Sequence, residues 1–148
     1  MRYLPQHLQA LRRARKGGAV LEVALVLPIL LGLSMGSIEF GYFMYAKSTV
    51  QAAARDGARS AILGSCTQAT ATTAVSRVMT AAGMQATGYT TSFVNASTGA
   101  NITDVSTVAA GTGITVRVSL TFGSLNVRPL GVIPASKPVV GSTTMTKE

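Results

Sequence analysis

The chain has 148 residues, 47% of them hydrophobic and only 12% charged, with a formal net charge of +8. That length allows one domain plus an anchor, and the mean hydropathy of +0.37 is high for a soluble domain. The only cysteine is Cys66 and the only histidine is His7. An intrachain disulfide, a cysteine-based metal cluster and histidine-dependent catalysis beyond the first residues are therefore excluded, and no cofactor is expected.

The charge is unevenly placed. Arg2, Arg12, Arg13, Arg15 and Lys16 crowd the first 16 residues, whereas residues 18–148 carry eight bases against five acids. A nucleic-acid partner would need a basic patch in the folded part, and none is visible. The early bases instead read as a topogenic signal that keeps residues 1–17, a basic leader, on the cytoplasmic side. A secretory signal peptide fits poorly, because the following apolar run is too long and no small-residue cleavage site closes it. A twin-arginine signal needs a more specific flank than Arg12-Arg13-Ala14-Arg15-Lys16 supplies.

From Gly18 to Ile38 the chain is apolar on every side of a helix. Twenty-one residues at about 1.5 Å each span roughly 31 Å, the thickness of bilayer hydrocarbon. Pro28 sits inside this run and predicts a kink. Gly32 and Gly36 form a G-x-x-x-G pair, repeated in small-residue spacing at Ser37 and Gly41, and such pairs let two helices approach closely. Glu22 is the exception in the run. An acid there either stays wet at the cytoplasmic interface or pairs with a cation on a neighbouring subunit.

Past Ile38, the residues Phe40, Tyr42, Phe43 and Tyr45 predict an aromatic belt at the outer interface. Strong helix formers then continue to Leu63, so one helix over 18–63 is expected to leave the membrane and project for several turns. Tyr42, Tyr45, Thr49, Ala52 or Ala53, Asp56 and Leu63 follow an i, i+3, i+4 path along it. Gly57 is read as a weak point and Gly64 as a terminator. Arg55, Asp56 and Arg59 read as a solvated ion-pair face.

Residues 64–148 predict an α+β domain on the periplasmic or extracellular side. Ser65 to Ala82 is a second helix, capped by Ser65 or Thr67 and stopped by Gly83. Tyr89–Val94 is a weak strand, Asn95–Asn101 a turn-rich loop, and Ile102–Val108 a second, poor strand. From Gly113 to Phe122 the pattern alternates cleanly, with Ile114, Val116, Val118, Leu120 and Phe122 facing a core. Leu125 to Pro138 reads as a loop and Val139–Thr146 as an edge strand. The expected fold is a long transmembrane helix continuing into a projecting helix, a second short helix, and a small antiparallel sheet packed on the projecting helix.

Taken together, these residues resemble a known family. A basic leader ends in Gly17, an acid stands at the fifth position after it, and an apolar helix follows directly, as in type IV prepilins. The run Glu22-Val23-Ala24-Leu25-Val26-Leu27-Pro28, then Ile38-Glu39-Phe40-Gly41, Tyr45-Ala46 and Ala53-Ala54-Arg55-Asp56-Gly57-Ala58-Arg59, is similar to the TadE-like pseudopilins of tight-adherence (Flp/Tad) pili. The resemblance is dense over residues 12–60. Val23 stands where an aromatic is frequent and Tyr42 where arginine is frequent, which leaves TadF- and TadG-like relatives open.

The resemblance implies cleavage by a prepilin peptidase between Gly17 and Gly18. Glycine, lacking a side chain, permits the close backbone approach a protease needs. The new amine at Gly18 would lie one turn from Glu22, where it would neutralise the acid within a chain or between staggered chains. Cleavage after Gly18 is the competing register. The partners implied are the inner membrane, the peptidase, and other pilins and assembly proteins with which the chain would be oligomeric. The expectation is therefore a non-enzymatic pseudopilin subunit, single-pass in the inner membrane and available for the pilus. The alternative is an uncleaved inner-membrane anchor whose periplasmic domain binds an assembly component. A tethered hydrolase would need a nucleophile–base pair, and no histidine follows His7.

Overall fold

The computed structural model describes the chain from residue 6 onward, with side chains described from Gly18 to Glu148. Helix α1 covers Gln6–Ala61 and helix α2 covers Gln68–Ala81. Three strands follow, β1 (Thr90–Asn95), β2 (Gly113–Thr121) and β3 (Pro138–Thr146). They form an antiparallel sheet in the order β1-β2-β3. The fold is thus α+β, as expected from the sequence.

α1 is unbroken through Pro28. The residues that form its membrane-like part, from Gly18 to Leu31, all stand exposed. One helix, near the N-terminus, is long and apolar enough to cross a membrane among the described residues. From Glu39 onward α1 changes role and becomes one wall of the globular core.

The buried stripe of that wall is Ala46, Val50, Ala53, Ala54, Ala58 and Ala61. Of the residues on the helical path read from the sequence, Thr49 and Ala53 are buried, while Tyr45, Ala52 and Leu63 are exposed. Tyr45 lies off the stripe while Tyr42 packs against its edge, and the stripe itself is made of small residues that allow close approach. Gly57 is likewise no weak point. A Cβ there would stand 2.5 Å from Val75 Cγ2 on α2 and 3.3 Å from Val116 Cγ1 on β2. α1 ends at Ala61, before Gly64, which lies in the exposed turn to α2.

α2 has clear boundaries. The Thr67 hydroxyl accepts from Thr70 N at 3.3 Å, an N-cap bond. At the other end Met84 N donates to Met79 O and Gly83 N to Thr80 O, with Gly83 at φ +71°. This is a Schellman ending, and buried Met84 supplies its apolar contact. Ala71, Ala74, Val75 and Met79 face the core. Asp56 meets Arg77 of α2 at 3.7 Å, an exposed pair of little energetic weight. Cys66 is buried in the turn between the helices, its thiol donating to Thr67 O at 3.2 Å.

The alternation in β2 holds to its end. Ile114, Val116, Val118 and Leu120 are buried, and Phe122, just beyond the strand in a 3₁₀ turn, is buried too. The outer face of the sheet is rich in hydroxyls. Thr90 bonds Ser119 and Thr115 bonds Thr144 across the strands, each pair 2.8 Å apart.

The poor strand expected over Ile102–Val108 is absent. Val105–Thr107 form a 3₁₀ turn that Asp104 initiates by accepting from Ser106 N and Oγ at 2.9 and 2.7 Å. Such local side-chain bonding competes with a ladder and wins where an Asp precedes Ser and Thr. The Ser106 hydroxyl, followed by its amide, holds the Asp104 carboxyl below its ordinary range. Buried Lys147 ties the same turn to the last strand, donating from Nζ to Val105 O at 2.8 Å.

β3 runs parallel to α1. Gly141 faces the helix backbone, and a Cβ there would stand 2.5 Å from Gln51 N and from Val50 C and O. The Gln51 side chain donates to Ser142 O and accepts from Ser142 N, at 2.9 and 3.2 Å. That bond pair covers part of an edge that would otherwise be open to other strands. At the far end Glu148 N donates to Ile62 O.

Candidate assembly and anchoring site

The residues singled out from the sequence lie along α1 rather than in one pocket. The basic leader and Gly17 fall outside the residues whose side chains are described. Gly18 is exposed, with open space around it. Glu22 is exposed one turn later and borders a shallow apolar surface made by Val23, Val26, Leu27 and Leu30. Gly36 lies fourteen residues beyond Glu22, close to four turns, so the two share one side of the helix about 21 Å apart. Gly32 is open to a partner, but a Cβ at Gly36 would stand 3.9 Å from Leu130 Cδ1 of this same chain.

The aromatics after Ile38 divide their roles. Phe40 is exposed. Phe43 turns inward and meets Phe122 edge-on at 5.4 Å between centroids. Tyr42 packs against the core and lies 5.8 Å from the ring of Tyr45. Tyr45 donates its hydroxyl to Ala82 O at 3.3 Å. Two of the four, Tyr42 and Phe43, therefore dock the globular part onto the helix.

Beside them is a contact that sequence reasoning missed. Glu39 is only 1% exposed. One carboxylate oxygen accepts from Leu130 N and Gly131 N, at 3.2 and 2.9 Å, and the other accepts from Ile133 N at 2.7 Å. Three donors to one carboxylate offset the loss of its hydration where the chain leaves the apolar run. The loop is shaped for this. Gly131 has φ +66°, a conformation that leaves adjacent amides pointing at an anion. Arg128 Nε donates to Ile133 O at 3.0 Å and closes the loop from the other side. The signal in the sequence is an acid placed directly after the apolar run. Nothing local names its partner, more than 90 residues away.

Residues 17–59 match the family model described as TadE-like protein. Neither the curated proteins nor the solved structures yield a match to the chain. The matched stretch begins at the predicted cleavage glycine, contains Glu22, Gly32, Gly36 and Glu39, and ends within the core-forming part of α1. A TadE-like segment implies a protein associated with the Tad pilus. From Gly17 to Arg59 the residue pattern and the family match agree, and this segment is similar to TadE-like proteins.

Proposed function

We propose that the protein is a minor pilin-like subunit of a tight-adherence pilus or secretion system, built for assembly rather than catalysis. It is inserted in the inner membrane through Gly18–Ile38, with the leader cytoplasmic and the α+β part periplasmic. A prepilin peptidase cuts between Gly17 and Gly18. The mature subunit then acts with other pilins in assembling or priming the pilus. The observation that carries this reading is the bare apolar half of α1. It belongs to a TadE-like segment and stands free of the globular part, as a helix must if lipid and then neighbouring helices are to cover it.

Within that reading Glu22 has a defined task. Its carboxylate is costly in lipid unless paired. The amine released at Gly18 is i, i+4 to it in the same helix, and a neighbouring subunit's amine is the other candidate cation.

Intact-mass measurement on membrane fractions tests the cut. With the peptidase present, the mass is expected to fall by that of residues 1–17; without it the full chain should persist. Met1 retained in both would overturn processing and favour an uncleaved anchor. Glu22→Ala is expected to be cut normally yet excluded from assembled pilus fractions. Recovery of that variant in the assembly at native levels would remove the pairing role.

A further inference from the structure

The loop that Glu39 holds carries apolar side chains pointing outward. Val132 is 70% exposed and Leu130 is 49% exposed, although both belong to a loop with fixed backbone contacts. Their height is set by the helix. Leu130 Cδ1 lies against Gly36, two residues inside the apolar run that ends at Ile38. On a helix whose apolar run starts at Gly18, Gly36 is about 27 Å along the axis, near the far edge of bilayer hydrocarbon. Leu33, Met35, Ile38 and Phe40 are exposed at the same level. Arg128 and Lys137 bracket the loop in the sequence, and Lys137 is exposed.

We infer that the 128–137 loop is a second membrane contact: Leu130 and Val132 enter the outer boundary of the bilayer that α1 spans, held there by Glu39. The inference rests on the reading of Gly18–Ile38 as the membrane span. Two points on one rigid body would fix the tilt and rotation of the globular part above the membrane, which a single helix leaves free. The amides of Leu130, Gly131 and Ile133 are bonded to Glu39 and the Ile133 carbonyl to Arg128, which lowers the cost of bringing this backbone to the interface. A loop tip of two apolar side chains next to basic ones suits an acyl-chain boundary under phosphate headgroups.

The test uses the full chain in a Cys66→Ser background, reconstituted in phosphatidylcholine–phosphatidylglycerol vesicles. One polarity-sensitive fluorophore is attached in turn at Val132→Cys, Leu27→Cys and Ser97→Cys. Quenching is compared between lipids brominated close to the headgroup and lipids brominated deep in the chains. At residue 27 the deep bromines should quench more strongly. At residue 132 the shallow bromines should quench several-fold more than at residue 97, which sits on the turn at the distal end of the sheet. Quenching at 27 without quenching at 132 overturns the loop contact and leaves the span standing. No quenching at 27 overturns the span, and the loop contact with it. An emission shift at 132 that follows protein-to-lipid ratio but ignores bromine would assign the patch to a second copy of the chain, and overturn the proposal.

Discussion

Gly141→Ala should lose at least about 1–3 kcal/mol of folding stability, the cost of forcing extra volume into a packed site. The added methyl would overlap Val50 and Gln51 backbone, which no rotamer change can move aside. Either β3 or the helix must shift, and both are held by the Gln51 bonds to Ser142. The entropy gained by removing a glycine from the unfolded chain, about 0.4–1 kcal/mol, opposes this and does not cancel it. For a domain of ordinary stability, about 5–15 kcal/mol, the loss is a large fraction. Denaturant unfolding of the detergent-solubilised chain measures it, with Val140→Ala as a companion, since Val140 points away from the core. A Gly141→Ala variant within about 0.5 kcal/mol of the parent, the range of a neutral surface change, would mean that the contact is looser than described.

Glu39→Ala should release the 128–137 loop while leaving the sheet and both helices in place. The amides of Leu130, Gly131 and Ile133 lose their acceptors at once. Their hydrogen exchange is expected to rise towards the rate of an open loop, while amides of β2 keep their protection. Glu39→Gln separates charge from shape. Its single oxygen can replace one carboxylate oxygen, but its NH₂ then faces a donor, so the variant should lie between parent and alanine. Unchanged exchange at the three amides in Glu39→Ala would show that Arg128 and the prolines order the loop by themselves. If the loop also contacts lipid, the same variant should diminish quenching at residue 132 without altering it at residue 27.

The parts legible in the sequence are those set by local pattern. The alternation of Ile114, Val116, Val118 and Leu120 is enough by itself to name the central strand and its buried face. Thr67 and Gly83 mark the ends of α2 because caps are chemistry within a few residues. The run from Glu22 to Pro28, together with Ile38–Gly41 and Ala53–Arg59, carries the resemblance to TadE-like proteins, whose family model matches residues 17–59. What escapes is set by distant partners. The buried stripe of α1 is mostly alanine, and alanines also stand on its exposed side at Ala52, so periodicity has little contrast to work with. The need for glycine at 141 arises only where α1 crosses β3. Glu39 reads as the first charged residue after the apolar run, which it is. Its three amide partners come from a proline-bearing loop that carries no periodic signal.

The parallel course of α1 and β3 decides how the molecule bears a load. About 19 helical residues from Phe43 to Ile62 cover nearly the same length as the nine strand steps from Pro138 to Lys147, roughly 29 Å in each. The two meet at Gly141, are bonded at Gln51 and, just past each element, at Glu148, and the Glu39 bonds tie α1 to the loop that leads into β3. A pull along α1 against the globular part therefore loads these fasteners in shear, together. The same contacts pulled sideways would open one after another, like a zip. The helix and sheet are therefore hardest to part along the axis of α1.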